Sequence, residues 1–562
     1  MRPALASYLH TMESLFDAAA GLPVTIWKGP GYHTRVPAGT AVHEVRVALD
    51  YALALFEENS PASVSRALTI LDRVLPLQDL DPTNPTYGIW PWLLEEPLVA
   101  MSPPDWNWAD FCGVRLANLL GLFGNHLPPA HLAAVRRSLH AAARSIYRRN
   151  VGPGYTNICF KGAVVCGAAG ELLDDAFLHD YALARLERFI AYVDANGGFT
   201  EYSSPPYTFI VLHEAERALL TLRSPALRDA ATAVLHLCWD DLVAALHLPT
   251  GQLCGPLSRT YADVLSTGTV RDLEERLDIS LFQSPVPSTA GALLSNAPSP
   301  PIPPHPCPRN LRRALLDRPA ESFTRRRYVF SETEPKRERT ASRWFGPDAC
   351  LGSANYENLW TQRRPLLGFW RVGDTLAVLR ASIRHDGDRD FCSGALRVHQ
   401  EGRSLLALAS LVTERGDFHD VLDRPADGVF RLSDLHLSIQ LRGPGATIRE
   451  TTPGVFTLAC GPWQAVVRPA FGIFDGHTVS WRAGQHHDEA LLRAVIDDGA
   501  PLTLEPAAVS AFAIGFTLAL QPAGTPAAFP AESMRDANTL TLHAVSPHGP
   551  LSLSAPLKPE TL

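Results

Sequence analysis

One segment of the sequence places acidic, phenolic and hydroxyl side chains close together. The segment GGFTEYSSPPYTFIVLHEAERALL begins at Gly197 and carries Glu201, Tyr202 and Tyr207. A tyrosine can donate a proton, or accept one when a nearby cation lowers its pKa, and a glutamate can do either. The segment therefore predicts acid–base chemistry. The alternative is an ordinary helix start, in which Thr208 caps the helix.

Polar groups in neighbouring segments could assist such a reaction. Asn157 and Lys161 lie in YTNICFKGA, and a neutral amide at a helix start can hydrogen-bond a carboxylate, although an N-cap is the alternative. Arg259 and Tyr261 lie in the Gly–Pro loop GQLCGPLSRTYADV. This pattern favours either an anion clamp or an arginine paired with a structural carboxylate. His213, alone on its helix, is typical of a satisfied surface or core residue.

Aromatic residues gather in three segments. TYGIWPWLLEEPL and PPDWNWADF are rich in tryptophan and in loop-forming residues. Rings in loops can pack on the C–H faces of sugars, or fill the core between helices. The candidate substrate-binding residues in these two segments are Trp90, Trp92, Trp106, Asn107 and Trp108. In NYENLWTQRRPLLGFW, Trp360 lies near Arg363 and Arg364, which suits either an anionic sugar chain or a domain interface.

The elements that must position these residues change in type along the chain. Apolar residues recur at three-and-four spacing in at least eight segments of the first half, such as AVHEVRVALDYALALFEE, which predicts consecutive helical hairpins in a toroid or solenoid. A proline-rich stretch then interrupts helix formation. Beyond it, alternating segments separated by Gly, Asp and Pro turns predict an antiparallel β-sandwich. We predict an α/α toroid over 1–283, a linker over 284–324, and a sandwich with a C-terminal tail over 325–562.

Composition and charge restrict the classes of function. The 562 residues are 46% hydrophobic and 19% charged, with a formal net charge of −8. These values predict a globular protein, and the absence of a long basic block argues against nucleic-acid binding. No apolar run reaches about 18 residues, so we expect no membrane span. The nine cysteines form no CxxC pair, which predicts buried thiols rather than a zinc site.

The N-terminal segment MRPALASYLHTMESLFDAAA interrupts its apolar pattern with charged residues. It is typical of an amphipathic helix rather than of a signal peptide. We therefore expect a cytoplasmic protein, or a secreted or periplasmic one whose signal has been removed. The oligomeric state stays open.

Taken in order, the motifs resemble those of the α/α-toroid polysaccharide lyases, namely the hyaluronate, chondroitin and xanthan lyases and their heparinase-like relatives. WNWADFCGVRLANLLGLF is similar to their Asn-Trp stretch, YTNICFKGA to their Asn-bearing helix, and GPLSRTYAD to their Arg-containing loop. The matching residues are Asn157 and Arg259. Where the hyaluronate-type pattern has its histidine, this sequence has Tyr202, so Tyr202 and Tyr207 compete for the role of base and His213 is the remaining histidine candidate.

The resemblance implies β-elimination at a uronic acid within an anionic polysaccharide. Asn157 and Arg259 would stabilise the enolate-like intermediate that follows removal of the C5 proton. Tyr207 is the first choice of base, with Tyr202 or Tyr261 next. No metal is required, because side chains can neutralise the carboxylate, although a structural calcium ion is compatible with this chemistry.

Three other functions fit the same residues. A glycoside hydrolase would use Glu201 with a second carboxylate from Asp263, Glu95 or Glu96, because hydrolysis needs two carboxyl groups about 5 to 10 Å apart. A carbohydrate-binding protein would keep the aromatic groove without turnover. A uronate epimerase would share the abstraction of the C5 proton.

Overall fold

The computed structural model describes residues 3–28, 33–284, 303–329, 338–357, 362–387, 389–413, 427–525 and 528–560. Residues 285–302 of the predicted linker and the candidate residue Trp360 lie outside the described residues. The chain forms two compact units. The helical unit comprises Met1–Ala195, Tyr207–Trp239 and Ala290–His305, and the β-rich unit comprises Asn196–Pro206, Asp240–Thr289 and Pro306–Leu562.

Local sequence accounts for many helix boundaries. Several helices start at a proline, whose fixed φ suits the first helical position, and several end at an Asn or Asp in the left-handed conformation. The starting prolines are Pro61, Pro129, Pro205 and Pro225, and the end residues are Asn59, Asn150, Asp174 and Asp278. The helices are α1 (Pro3–Ser14), α2 (Val45–Glu58), α3 (Pro61–Val74), α4 (Asn107–Phe123), α5 (Pro129–Arg149), α6 (Thr156–Leu173), α7 (Ala176–Asn196), α8 (Pro205–Thr221), α9 (Pro225–Ala245), α10 (Thr267–Leu277) and α11 (Arg309–Leu316).

Helices α2, α4, α6 and α8 pack side by side in the helical unit. Helix α4 contacts α2 and α6 as well as α5, and α2 contacts α3. Helix α6 is buried on every side from Thr156 to Gly170, as expected for an inner helix that is apolar all round. Glycine allows the closest approach: a Cβ at Gly162 would lie 2.6 Å from the Asp110 Oδ1 atom. These helices therefore form an inner layer.

The inner helices α4, α6 and α8 run parallel. Between α4 and α8, the Arg115 side chain contacts Glu214 and the Thr221 hydroxyl donates to Asn118 Oδ1 at 2.7 Å. On each of the two helices, the residue of the second contact lies C-terminal to the residue of the first, so the helices point in the same direction. Between α4 and α6, Gly162 lies against Asp110, and one turn further along both helices Gly113 lies against Val165. The N-terminal ends of the three helices therefore lie at the same end of the layer.

The second half of the chain consists mainly of strands, and every pair in its sheets is antiparallel. Its strands are β7 (Ser322–Val329), β8 (Glu338–Phe345), β9 (Ala349–Ala354), β10 (Leu366–Val372), β11 (Thr375–His385), β12 (Arg389–Asp390), β13 (Gly394–Glu401), β14 (Ser404–Leu411), β15 (Phe430–Arg442), β16 (Thr447–Thr452), β17 (Val455–Cys460), β18 (Trp463–Phe474), β19 (His477–Thr478), β20 (Ser480–His486), β21 (Glu489–Leu504), β22 (Phe512–Pro522), β23 (Ala531–Arg535), β24 (Thr539–Ser546) and β25 (Gly549–Pro556). Short two-residue strands also lie in the first half, namely β1 (Phe16–Asp17), β2 (Leu22–Pro23), β3 (Thr25–Ile26), β4 (Ala41–Val42), β5 (Leu246–His247) and β6 (Gln252–Leu253).

Two large sheets of the β-rich unit share one apolar core. The larger has the order β20-β21-β15-β11-β10-β9-β8-β7 with β12 beside β11, and the other has the order β13-β14-β22-β18-β17-β16 with β19 beside β18. Leu379 and Leu437 of the first sheet pack in the same cluster as Leu405 and Leu518 of the second. A three-stranded sheet, β23-β24-β25, packs on the outer face of the second sheet. The unit is thus a sandwich with a third layer.

The predicted fold class, an α/α toroid followed by a large antiparallel β-sandwich, is confirmed. The compact units cut across the predicted boundaries, because Asn196–Pro206 and Asp240–Thr289 group with the β-rich unit. Among the described residues, no helix is both long and apolar enough to cross a membrane. All nine cysteines are buried free thiols.

Candidate functional site

The inner helices direct one stripe of side chains each toward a shared polar interior. On α8, Tyr207, Ile210, Glu214 and Arg217 recur at three-and-four spacing and so share a face. Glu214 on this stripe contacts Lys161 of α6. The corresponding stripes are Arg46 and Asp50 on α2, Trp108, Phe111 and Arg115 on α4, and Asn157 and Lys161 on α6.

Ion pairs join these stripes in the interior. Arg115 donates to Asp50 through two bonds, Nε to Oδ1 at 2.9 Å and NH2 to Oδ2 at 3.2 Å. Glu214 Oε1 lies 3.4 Å from Lys161 Nζ and 3.1 Å from Arg217 NH1. These pairs connect all four helices, so the network fixes how the helices are positioned relative to one another.

Burial and neighbouring charge shift the pKa values of this network. Burial lowers the pKa of Lys161 to about 7, although Glu214 opposes this change. Burial works against ionisation of Glu214, but Lys161, Arg217 and Arg115 outweigh it and lower the pKa of Glu214 to about 2. Glu214 is therefore held ionised by its basic neighbours, and burial makes Lys161 a weaker base than an exposed lysine.

Arg46 of α2 lies beside the aromatic side chains of α4. Its guanidinium carbon lies 5.8 Å from the centre of the Trp108 ring and 5.4 Å from that of Phe111. It is half-buried and forms no ion pair with any described residue. Lys161 Nζ lies 3.7 Å from the centre of the same Phe111 ring. The network thus holds four basic side chains (Arg46, Arg115, Lys161 and Arg217) against two carboxylates (Asp50 and Glu214), an excess that favours an anionic ligand.

An aromatic surface adjoins Arg46. Trp92 stacks on Trp108 with ring centres 4.9 Å apart, and His33 and Trp27 pack edge-on or tilted against Trp92. Trp92 is half-buried, and its Nε1 donates to Asp105 Oδ2 at 3.1 Å. Trp108 itself is buried, so of these two rings Trp92 is the one with surface that could contact the apolar side of a sugar.

Asn157 and Tyr207 lie toward the same end of the inner layer. Asn157 is one turn, about 6 Å, before Lys161, and Tyr207 is two turns, about 10 Å, before Glu214. Lys161 and Glu214 are in contact, and α6 runs parallel to α8. Asn157 is buried and is the second residue of α6, which begins at Thr156, so the N-cap alternative is wrong. Tyr207 is half-buried in the first turn of α8.

The other candidates from the two tryptophan-rich segments form hydrogen bonds within the protein. Trp90 is fully buried and its Nε1 donates to the Val74 carbonyl at 3.2 Å, so it belongs to the core and offers no surface to a ligand. Trp106 Nε1 donates to the Pro85 carbonyl at 3.0 Å. Asn107 is held by Arg149, whose NH1 donates to its Oδ1 at 2.6 Å.

His213 lies on α8 beside Phe209, with ring centres 6.2 Å apart, and is off the stripe that carries Tyr207. Thr208 is in the first turn of α8 and not at its cap, because the helix begins at Pro205.

The β-rich unit contains the other half of the predicted residues. Arg259 NH1 lies 2.5 Å from Glu201 Oε1, and Arg259 Nε donates to Gln362 Oε1 at 3.1 Å. Glu201 is 4% exposed, whereas the Arg259 side chain is 22% exposed. Of this pair, Arg259 is the group with access to solvent.

Tyr202 is fully buried and stacks on Tyr328 with ring centres 4.2 Å apart. Its hydroxyl has no hydrogen-bond partner among the described residues. A phenol enclosed in this way cannot reach a substrate, so the structure is against Tyr202 as the base. The main chain here is held by Ser258, whose hydroxyl donates to the Tyr202 carbonyl at 2.6 Å. Tyr261, three residues along that loop, is half-buried.

Arg363 and Arg364 are buried in ion pairs. Arg363 donates to Asp390 Oδ1 at 2.9 Å, and Arg364 Nε donates to Asp263 Oδ1 at 2.5 Å. Both arginines are therefore structural within the β-rich unit. Asp263 is engaged in the same way, which removes it as a partner for a hydrolytic glutamate.

The other carboxylates considered for hydrolysis are also engaged. Glu95 Oε1 lies 2.5 Å from His43 Nδ1, and Glu96 Oε1 accepts from the Arg35 amide at 2.8 Å. Both residues lie in the helical unit.

Arg46 was not among the candidates from the sequence. In VRVALD, Arg46 and Asp50 are four residues apart, a spacing that predicts an ordinary surface ion pair. In the structure Asp50 pairs with Arg115 instead. The partner of Asp50 lies on another helix, so no local signal could have identified Arg46.

Comparison with known proteins gives a family model and several structures. Residues 9–268 match a family described as a domain of unknown function (DUF8769). No curated protein matches the chain. The chain is similar to a crystal structure of heparinase III, with 9% identity, a TM-score of 0.46, and 90% of this chain and 81% of that chain covered. It is also similar to a heparan sulfate lyase from Pedobacter heparinus, with 9% identity, a TM-score of 0.34, and 99% and 94% covered.

Proposed function

We propose that the chain is a polysaccharide lyase that cleaves a uronic-acid-containing polysaccharide by β-elimination. The observation that carries the proposal is the half-buried guanidinium of Arg46, which has an aromatic face but no carboxylate partner among the described residues. It lies in the interior that also receives the stripes of Asn157 and Tyr207. A cation, an amide and a phenol beside stacked rings match the carboxylate, the C5 proton and the apolar face of a uronic acid.

In the proposed reaction, Arg46 and Asn157 bind the uronate carboxylate and stabilise the negative charge that develops on it. Tyr207, as its phenolate, takes the C5 proton. The C5 electron pair forms the C4–C5 double bond, the C4–O bond breaks, and the departing glycosidic oxygen takes from Tyr207 the proton that came from C5, which restores the phenolate. The contribution of Arg259 to carboxylate binding stays a prediction from the resemblance.

Replacement of Tyr207 by Phe tests the proposal. We expect loss of the ultraviolet-absorbing unsaturated product on polyuronate substrates, with the far-ultraviolet circular dichroism and melting temperature unchanged. The matched control is Tyr181→Phe, which changes a helical-unit tyrosine whose hydroxyl donates to Oδ1 of Asn150, the residue that follows α5, at 2.9 Å. Near-full turnover by the Tyr207→Phe variant would refute the assignment.

A second measurement separates lyase from hydrolase. A hydrolase adds water and yields reducing ends without the conjugated product, and it would depend on Glu201. The Glu201 carboxylate is buried and engaged by Arg259, so we expect Glu201→Gln to disturb the loop more than the chemistry. Formation of reducing ends without ultraviolet absorbance, abolished by Glu201→Gln, would favour the hydrolase.

A further inference from the structure

The outer face of helix α5 carries an excess of arginine. The helix contains Arg136, Arg137, Arg144, Arg148 and Arg149 and has no Asp or Glu, whereas the chain as a whole has a net charge of −8. Its buried residues pack on α4 and α6, so its exposed residues lie on the side away from these inner helices. Cations in the last turn of a helix are stabilised by the helix dipole. This accounts for Arg148 and Arg149 but not for the other three.

Two of these arginines lie against aromatic rings that come from three segments. The Arg144 guanidinium carbon is 5.2 Å from the centre of the Tyr147 ring and 5.3 Å from that of Phe177 on α7. The Arg148 guanidinium carbon is 4.6 Å from the centre of the Tyr87 ring, which belongs to the segment between α3 and α4. Tyr147 and Phe177 also contact each other edge-on, with ring centres 4.9 Å apart. We call these five residues the arginine–ring surface.

The two guanidinium groups of this surface are not neutralised within the described part of the chain. Neither Arg144 nor Arg148 donates a hydrogen bond to a described residue or forms an ion pair with one. The carboxylates near the start of α7, Asp175 and Asp180, lie beside histidine side chains instead, at 3.8 and 3.2 Å. Arg144 and Arg148 are four residues apart, and like charges at this spacing destabilise a helix. An anion bound by both would remove this repulsion.

The surface combines available donors with exposed aromatic area. A ring covers the face of a guanidinium and leaves its N–H groups, which lie in the guanidinium plane, available to a carboxylate. Tyr147 is 36% exposed and Phe177 is 48% exposed. Rings with this much exposed area can pack on the apolar C–H side of a sugar. The surface therefore suits a ligand that carries both carboxylates and sugar rings.

We propose that the arginine–ring surface is a second binding site for an acidic glycan, separate from the candidate lyase site. Arg144 and Arg148 bind carboxylates of the polymer, and Tyr147 and Phe177 contact its sugar rings. The two arginines are about 6 Å apart along the helix axis, so one short stretch of polymer can contact both.

The choice of an acidic glycan as the ligand rests on the proposed function. The cationic character of the surface and its preference for anions do not depend on that function. The net charge of −8 argues against a nucleic acid as the occupant.

Affinity electrophoresis of the full chain tests the surface. Native gels contain polygalacturonate, dextran sulfate or neutral dextran, and the Arg144→Gln/Arg148→Gln double variant is compared with wild type. Glutamine removes the charge and is a good helix former. The matched control is Arg136→Gln/Arg137→Gln, which removes the same charge from the same helix at positions that contact no aromatic ring among the described residues.

We expect polygalacturonate to retard wild type and neutral dextran not to. The Arg144→Gln/Arg148→Gln variant should bind polygalacturonate about tenfold more weakly than the control variant does, because two exposed charge contacts are lost and each contributes a few-fold. Equal weakening in both double variants would overturn the proposal, because net charge alone would then explain the loss.

Other outcomes test the kind of ligand. Retardation by dextran sulfate but not by polygalacturonate would overturn the carboxylate assignment. Tighter binding of a fluorescent oligodeoxythymidylate than of polygalacturonate would refute the glycan in favour of a nucleic acid.

A final comparison separates this surface from the candidate lyase site. If polygalacturonate retains the Tyr207→Phe protein, and this retention is lost when Arg144 and Arg148 are also replaced, the surface is supported even if no lyase activity is found. If wild type is an active lyase and the Arg144→Gln/Arg148→Gln variant is retained as strongly as the control, the surface is refuted and the proposed function stands.

Discussion

Replacement of Arg46 by Met is the perturbation that tests the candidate site most directly. In the free protein the Arg46 guanidinium has no carboxylate among the described residues, so its removal leaves no buried charge behind. The loss to folding is confined to two cation–π contacts, each about 0.5 to 1 kcal/mol at a partly exposed site. Methionine keeps the apolar contact with Trp108 and Phe111. We therefore expect a folded variant.

The effect on substrate is expected to be larger. A hydrogen bond to a charged group contributes about 1.5 to 3 kcal/mol, which corresponds to a loss of about 10- to 150-fold in kcat/KM for a uronate polymer. If binding of the carboxylate is equal in the ground and transition states, KM changes; if Arg46 acts on the enolate-like intermediate, kcat falls as well.

The assay measures initial rates of ultraviolet-absorbing product on polygalacturonate and a panel of other polyuronates. Isothermal titration of oligogalacturonate into the Tyr207→Phe background measures binding without turnover. The control is Arg137→Met, which removes an exposed arginine from α5 of the same unit. If Arg46→Met leaves both kcat/KM and oligogalacturonate affinity within about twofold of the Arg137→Met control, about 0.4 kcal/mol, Arg46 does not bind the uronate.

Three further substitutions test the surroundings of the site. Arg115→Met should destabilise the helical unit by about 3 to 5 kcal/mol, because it leaves Asp50 buried without its bidentate partner; unchanged denaturant unfolding would contradict the network. Burial raises the pKa of Asp110 from 3.8 to about 7, so its contribution to stability is complete below pH 4 and is lost as the pH rises through 7. The change is about 4 kcal/mol, and Asp110→Asn should flatten the pH dependence of unfolding between pH 4 and 8; an equal slope in both proteins would refute the shift. Tyr202→Phe removes a buried hydroxyl that has no partner among the described residues, so both activity and stability should be retained, and loss of turnover in a folded variant would restore Tyr202 as the base.

The sequence predicted the helices well because each carries its own periodicity and start and stop residues. Pro205 begins α8, and α6 is apolar on nearly every side, as is typical of a fully buried helix. The alternation beyond residue 325 likewise predicted strands, since the side chains of a strand point alternately to its two faces. Asn157 could be placed near the start of a helix from its local context alone.

Chemical access was decided by tertiary structure. The sequence offered Tyr207 as the first choice of base and Tyr202 as a competitor, but it could not show that Tyr202 is enclosed against Tyr328, whereas Tyr207 is half-buried on the stripe that carries Glu214. Burial depends on which segments pack over a residue, and those segments lie more than a hundred positions away in the case of Tyr328.

The pairing of charges shows the same division. Asp50 is four residues from Arg46, yet it binds Arg115, 65 positions along the chain. Local spacing determines which side chains share a helical face, and this the sequence specifies by itself. Which cation neutralises a buried carboxylate, and which is left for a ligand, depends on the helices packed against that face, and only the folded structure determines this.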